Sequence, residues 1–376
     1  MPSSDVQTDL RPTASIAPDS YFDETIALEE QNAIFRKVWI FVGFRRELAN
    51  HNDYLQKDIG GVSVVIQNFD GEIRAFHNVC SHRLSMIRND RCGNGPLRCP
   101  YHGWTYDGEG VPVGIPGNHQ HFCFGDAEKR SLALRSFSVG VCGEFVFVRI
   151  APEGPDLEEY LGSSSERLLH LSEHFGRNAP IDEQVVPWET NWKIGMESVL
   201  EVYHVDPVHP DTFKKLVKTF WKFEAEGIHS TALSLLQDDM KGWWDKAIGR
   251  LGLRKSPRCD EYDHFVIFPN IAIGLTRGVL MSFQTYEPVS PTRSNLHYRM
   301  ILANTTKPES IGGYTHKSVA DTVVEFNRKL LKEDQTVSEY SQRGLMQSPR
   351  RAILGINEGR IEMFHNALKG YVDYPA

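Results

Sequence analysis

The chain predicts an α+β protein in two parts, an all-β module at 40–150 and then an α+β domain at 151–376 built on an antiparallel sheet. Between 40 and 150, short β-rich runs are separated by turn signals. Ala151-Pro-Glu-Gly-Pro155 then breaks the pattern and reads as a linker. Beyond it, helical patterns flank three strand-like runs punctuated by Pro and Gly, as in a meander. Residues 1–39 precede both parts as a leader and an N-terminal helix.

Length and composition bound the rest. A chain of 376 residues can bury a full core and accommodates two domains. No apolar run approaches the roughly 20 residues needed to cross a bilayer, so no membrane partner is expected. Residues 1–18 are polar and Pro/Ser-rich, which predicts a partly disordered leader and no secretory signal. A net charge of -8 argues against nucleic acid as a partner. Cys92, Cys123, Cys142 and Cys259 form no disulfide framework, which fits a reducing cytoplasm.

Taken in order, a helix is expected over about 23–38, where Ile26, Ala33, Ile34 and Val38 line one face and Ser20 or Asp23 can cap it. Runs at 62–67 and 73–79 join through Asn68-Phe-Asp70-Gly71, a hairpin signal. Tyr106-Asp107-Gly108 marks a further turn, and 144–149 a further strand. Helical patterns follow at 157–174 and 190–205, strands at 264–275, 279–286 and 296–303, and helices at 318–345 and 358–368. Trp243-Trp244 reads as a packing or pocket element.

Chemistry concentrates at Cys80-Ser-His82, followed after sixteen residues by Cys99-Pro-Tyr-His102. Two short loops thus each offer one thiolate and one imidazole. A [2Fe–2S] cluster of the Rieske type needs that set, with two Cys on one iron and two His on the other. Tetrahedral zinc is the rival, although zinc fingers usually pair Cys with Cys and His with His. The flank His102-Gly-Trp-Thr-Tyr-Asp-Gly resembles the second cluster loop of Rieske proteins.

A second donor set lies in Glu201-Val-Tyr-His204-Val-Asp-Pro207-Val-His209. Histidines five apart point about 140° apart on an unbroken helix, which suits one metal poorly. Pro207 disfavours the α conformation at Asp206. His204 is therefore expected in a last helical turn, with His209 returning from the distorted segment beyond. A mononuclear iron site of the facial type needs two His and one carboxylate. Asp334 on the long C-terminal helix is the best candidate, with Glu333 an adjacent rival. Glu201 sits three residues before His204, on nearly the same face. His77, His119, His121, His170, His174, His264 and His365 have no ligand-like spacing and read as structural.

Four motifs stand in order: Cys-x-His-x16-Cys-x2-His; Asn191-Trp-Lys193; Glu-x2-His-x4-His; and Glu333-Asp334 with Glu339, Gln342 and Gly344-Leu345. Together, over about 35–370, they resemble the oxygenase subunit of Rieske non-haem iron oxygenases, the aromatic-ring-hydroxylating dioxygenase family. The resemblance implies an all-β Rieske domain followed by a helix-grip-like catalytic domain. It implies Cys80, His82, Cys99 and His102 as cluster ligands, His204, His209 and Asp334 as Fe(II) ligands, and Glu201 as the acid linking the two metal centres. Two departures stand out: Leu84 where the family commonly has Gly after His-Arg, and Ser198 where Asn is common.

By the same resemblance, NAD(P)H reduces a separate flavin and iron–sulfur reductase or ferredoxin, which passes electrons to the cluster and on to the iron, where O₂ oxidises a small-molecule substrate. A head-to-tail homotrimer is expected, with Glu201 bridging His204 to His102 of the neighbouring copy. Hydroxylation of an aromatic ring is the favoured reaction, and N- or O-demethylation or quaternary-amine monooxygenation the alternative. A Rieske electron carrier without oxygenase activity and a zinc-stapled binding protein are the readings of other classes. Arg83, Arg88, Arg91 and Arg98 form a basic segment around the cluster loops, expected to steer an acidic donor.

Overall fold

The computed structural model describes residues 13–176, 178–218, 222–306 and 309–375. They form two compact units, one of Glu30–Gly176 and one joining the described residues before Glu30 to those after Arg177.

The Glu30–Gly176 unit is built on a seven-stranded antiparallel sheet in the order Ile40–Phe44, Phe145–Arg149, Ser136–Cys142, Glu72–His77, Val62–Phe69, Asp53–Ile59 and Cys92–Asn94. Its hairpin after Val62–Phe69 turns where expected. Asp70 and Gly71 take φ of 53° and 98°, the left-handed pair that a two-residue type I′ turn requires. Phe41, Phe44, Phe145 and Phe147 fill the core beneath the edge strands with tilted and edge-on rings.

This unit continues past the Ala151–Pro155 break, where the sequence reading ends the module at 150. Helices Leu157–Leu161 and Ser164–Phe175 fold back onto strand Ser136–Cys142. Gly140 lets Leu157 approach so closely that a Cβ there would lie 2.8 Å from it. The Glu144 amide donates to Ser172 Oγ at 2.8 Å. The Pro-Gly segment is thus a bend within the unit, and the apolar faces of these helices hold them to the first sheet.

The other unit contains a second seven-stranded antiparallel sheet: Asp182–Trp188, Arg293–Leu302, Leu280–Ser290, Ile271–Thr276, Tyr262–Ile267, His229–Ser234 and Lys222–Glu226. The strand expected over 264–275 is a hairpin of two, paired Ile267 to Ile271 across Phe268-Pro269-Asn270. Pro269 has no N–H for a ladder and sits in the turn. Helices Asp238–Leu251, Glu309–Leu345 and Gly359–Lys369 complete the unit, with Trp244 buried in the first as a packing residue. The first twelve residues of the leader lie outside the described residues. Thr13–Ala14 pairs with Ile353–Leu354, and Ser15 and Ile16 are buried, so the end of that segment is built into the fold.

The helix expected over 190–205 is broken into Trp192–Ser198 and Val205–Val208. Asn191 starts it: its Oδ1 accepts from the Lys193 amide at 2.9 Å, its Nδ2 donates to the Pro291 carbonyl at 2.7 Å, and its own amide donates to Gln342 Oε1 at 2.7 Å. Gly195 presses this helix onto the sheet, because a Cβ there would lie 2.4 Å from the Tyr286 ring. His204 therefore precedes the short second helix instead of ending a long first one. Pro207 falls in that helix's first turn, where proline is tolerated. His209 follows directly after it.

Asn191→Ala removes the helix cap and the donor to the half-buried Pro291 carbonyl. It should destabilise the protein by about 2 kcal/mol, read as a lowered melting temperature. An unchanged melting temperature would show that the cap is dispensable.

Candidate metal centres

The two loops of the first centre are built alike. The Cys80 amide donates to the Ser85 carbonyl and the Cys99 amide to that of Trp104. The fifth residue of each loop donates back to the cysteine carbonyl: Leu84 to Cys80 and Gly103 to Cys99. Both take left-handed backbone, with φ of 57° and 75°. Gly103 does so freely, whereas Leu84 carries a side chain there at a cost of about 1–2 kcal/mol. The Leu84 side chain is 75% exposed.

Each loop buries its cysteine and presents its histidine outward. Cys80 and Cys99 are both 2% exposed, His82 is half-buried and His102 is exposed. The His82 ring stacks on Trp104, with centroids 4.9 Å apart, and meets the His102 ring edge-on at 4.6 Å. Burial lowers the His82 pKa, and His102 and Arg83 add to this, which keeps the ring in the neutral form a metal needs. Its buried Nδ1 finds no hydrogen-bond partner among the described residues. Burial raises the Cys80 pKa, with Cys99 beside it adding to the effect. Two facing sulfurs, two facing imidazoles and an orphaned ring nitrogen fit a two-Cys, two-His cluster.

Tyr106 reads in the sequence only as a turn residue. Its hydroxyl lies 3.0 Å from Cys80 Sγ and accepts from the Ser81 amide at 3.1 Å. Arg88 corrects the expected basic patch. Its guanidinium donates to the Gly95 and Pro96 carbonyls and lies 3.9 Å above the Tyr54 ring, so it braces the segment between the loops.

The second centre is a triangle of donor atoms. His204 Nε2 lies 3.2 Å from His209 Nε2 and 3.5 Å from Asp334 Oδ1, and the His209–Asp334 edge is 2.9 Å. Neighbouring ligands around one ion, with bonds of roughly 2.1 Å, have such spacings. The remaining ring nitrogens are held by carboxylates. His204 Nδ1 pairs with Glu201 Oε1, and His209 Nδ1 lies 2.8 Å from Glu333 Oε2. Glu201 also accepts from the Tyr203 and His204 amides, which locks its turn. Glu333 is thus no rival to Asp334. The adjacent acids meet opposite nitrogens of one ring, the outer-shell pattern common around metals.

Burial works against charge at His204. Hydrogen bonds and charges from Asp334 and Glu201 outweigh it and push the pKa up to about 10. Burial would likewise raise the Asp334 pKa, but His204 and His209 hold it below the usual carboxylate range. Protons therefore occupy imidazoles that a metal would take over.

Two cavities share the walls Ser198, Glu201 and His204. The outer, about 510 Å³, reaches Glu197 and Glu358. The inner, about 50 Å³, borders Asp334, Phe213, Tyr262, His264 and Gln284. His264 and His365, read as structural, both adjoin the site. Arg360 donates to His264 Nδ1 at 3.0 Å, and burial, with Arg360, holds the His264 pKa well below its ordinary value. His365 Nε2 and the Tyr21 hydroxyl converge on Glu197 Oε1 at 2.9 and 2.7 Å. Neither network leaves a local sequence signal, since each joins residues far apart in the chain.

Residues 175–373 match the ring hydroxylating alpha subunit (catalytic domain) family. The chain belongs to that family. Residues 38–137 match the Rieske [2Fe-2S] domain, and the two domains together imply a Rieske cluster and a mononuclear iron. The glycine betaine monooxygenase oxygenase subunit of Pseudomonas aeruginosa is 30% identical over 208 residues, 54% of this chain and 47% of that protein. The carnitine monooxygenase oxygenase subunit of Acinetobacter pittii is 32% identical over 201 residues, 50% of this chain and 51% of that protein. These matches span about half the length of the relatives. The chloroplastic choline monooxygenase of Spinacia oleracea is 27% identical over 380 residues, covering 94% of this chain and 77% of that one. Among solved structures, the quaternary ammonium Rieske monooxygenase CntA in complex with L-carnitine aligns with TM-score 0.78 at 22% identity, over 97% of both chains. Naphthalene 1,2-dioxygenase with indole bound aligns with TM-score 0.75 at 18% identity, over 95% of this chain and 92% of that one. Both likenesses establish the fold.

Hydrogen bonds to cluster sulfurs stabilise the reduced state. Tyr106→Phe should therefore lower the cluster potential, by on the order of tens of millivolts, in protein-film voltammetry. An unchanged potential would place Tyr106 outside the cluster's influence.

At the triangle, the His204 pKa is raised above its unfolded value of about 6.5. Its proton thus stabilises the metal-free fold fully below that pH, a contribution lost as pH climbs through about 10. Loading metal-free protein with Fe(II) near neutral pH should release protons, and apparent affinity should rise with pH. Loading without proton release, followed with an indicator dye, would mean that the imidazoles are already neutral.

Proposed function

We propose that the chain is the terminal oxygenase of a multicomponent system that oxidises an N-methylated amine, most simply a quaternary ammonium compound. It uses O₂ and electrons from NAD(P)H passed on by a separate flavin and iron–sulfur reductase or a ferredoxin. The observation that carries this reading is the triangle of His204 Nε2, His209 Nε2 and Asp334 Oδ1 beside an aromatic-walled cavity. When bound, a cluster at Cys80, His82, Cys99 and His102 supplies single electrons, and Fe(II) at His204, His209 and Asp334 supplies oxygen activation.

The chain's own residues do the positioning. Glu201 holds the His204 proton on Nδ1, leaving Nε2 as the donor, and Glu333 does the same for His209. Phe213 and Tyr262, edge to face with centroids 5.1 Å apart, wall the inner cavity. Aromatic faces attract quaternary ammonium groups. This support, and the quaternary-amine substrates in the names of the relatives, moves the preferred reaction from ring hydroxylation to its alternative.

Electrons are expected to cross between copies, in a cytoplasmic head-to-tail homotrimer. The exposed His102 of one copy would meet Glu201 of the next. Exposure of His102 and the place of Glu201 on the outer cavity wall support this arrangement. Arg88 is engaged in bracing, and steering of the electron donor falls to the exposed Arg83, Arg91 and Arg98.

Oxygen consumption with a surrogate reductase, screened over betaines, choline, carnitine, tertiary methylamines and arenes, tests the substrate class. Turnover with formaldehyde or aldehyde release is expected from methylated amines. Arene diol formation with no amine turnover would restore the ring-hydroxylating reading. A chain that takes up electrons but consumes O₂ with neither class would be a carrier.

A further inference from the structure

We propose a third metal site, separate from both redox centres, on the helix Ser164–Phe175. Its ligands are His170, Glu173 and His174, and its chemistry suits a borderline divalent transition ion such as Zn²⁺. The sequence His170-Leu-Ser-Glu173-His174 places the three residues at helix positions i, i+3 and i+4, which share one face. The sequence reading leaves both histidines structural, yet this helical spacing is ligand-like.

One ligand atom from each side chain lies within 4.8 Å of the others. The two imidazole centroids are 4.4 Å apart. His174 is 7% exposed, resting among the buried Leu171 and Phe175, while His170 is half-buried and Glu173 exposed. The site thus combines a buried inner donor with two outer donors nearer the surface.

A further bond prepares the inner donor. His174 Nδ1 lies 3.0 Å from the His170 carbonyl oxygen. A carbonyl only accepts, so Nδ1 carries the proton and Nε2 keeps its lone pair. Metal-binding histidines commonly make this backbone bond, which fixes tautomer and ring orientation together. Two imidazoles with one carboxylate favour zinc, nickel or copper over magnesium or calcium, which take oxygen ligands. Three protein donors leave a tetrahedral position for water. All three ligands belong to the Glu30–Gly176 unit, whereas His204, His209 and Asp334 lie in the other. A bound ion would tie the last turns of the helix that closes the cluster-bearing unit.

The probe is Zn²⁺ alone, added by equilibrium dialysis to the iron-loaded full-length protein, with zinc and iron both counted per chain by emission spectroscopy. Wild type should retain one zinc with its iron content unchanged, and its melting temperature should rise with zinc concentration. His174→Ala and His170→Ala should abolish this uptake, and Glu173→Gln should weaken it roughly tenfold or more. Cluster absorbance should stay unchanged in all three. Asp334→Ala, altered only at the other centre, should keep the zinc. Should His174→Ala fail to fold, the outward-facing His170→Ala and Glu173→Gln variants carry the test. Zinc bound only as iron is lost, or bound equally by wild type and the helix variants, would overturn the site.

Discussion

A carboxylate that is 4% exposed sets the terms for the catalytic unit. Asp334 is withdrawn from water, and an unpaired buried charge costs several kcal/mol. Positive charge beside it in the fold offsets that cost. In the metal-free fold the His204 imidazolium supplies that charge; in the loaded fold a divalent ion would. The sheet, the capped helix at Asn191 and the long helix Glu309–Leu345 hold these groups at a spacing that serves both occupants. Glu201 and Glu333 add negative charge behind each ring, which raises the basicity of the nitrogens that face Asp334.

The cluster-bearing unit solves a different problem, how to shield sulfur while leaving an electron exit. Two loops of one design bury their cysteines and turn their histidines outward. Replacing Gly103 would push a Cβ to within 2.9 Å of the Arg98 guanidinium. The matching position in the other loop holds Leu84, which accepts backbone strain to place an apolar side chain at the exposed edge. Strain retained at a functional rim usually accompanies a contact made there.

Much of this was legible in the sequence because the candidate donor residues sit in short motifs. Cys80, His82, Cys99 and His102 fall on two loops, each Cys-His pair within a four-residue window. His204 and His209 were legible as a pair, but their local structure was not. Pro207 reads as a helix breaker, yet it occupies a first turn, because the break lies earlier, after Ser198. Asp334 could be located only through the order of the motifs. The partners of Tyr106, Glu333 and the Glu197–His365–Tyr21 cluster were illegible, since tertiary packing alone brings them together. The boundary at Gly176 was hidden for the same reason. A Pro-Gly stretch marks a bend, and only packing says which unit the following helices join.

The distance in sequence across the triangle has its own consequence. His209 and Asp334 are 125 residues apart, with the whole catalytic sheet after its first strand between them. An ion held by both is a cross-link that closes a very long loop. Such cross-links act on the unfolded chain, whose freedom falls by an amount that grows slowly with loop length, about 4–5 kcal/mol for a loop near this size. An ion held tightly in the folded state therefore serves as a clasp for the domain as well as a reagent. Iron starvation would loosen this half of the protein as well as silence it, and exposed segments of the metal-depleted chain would become the first points of proteolytic attack.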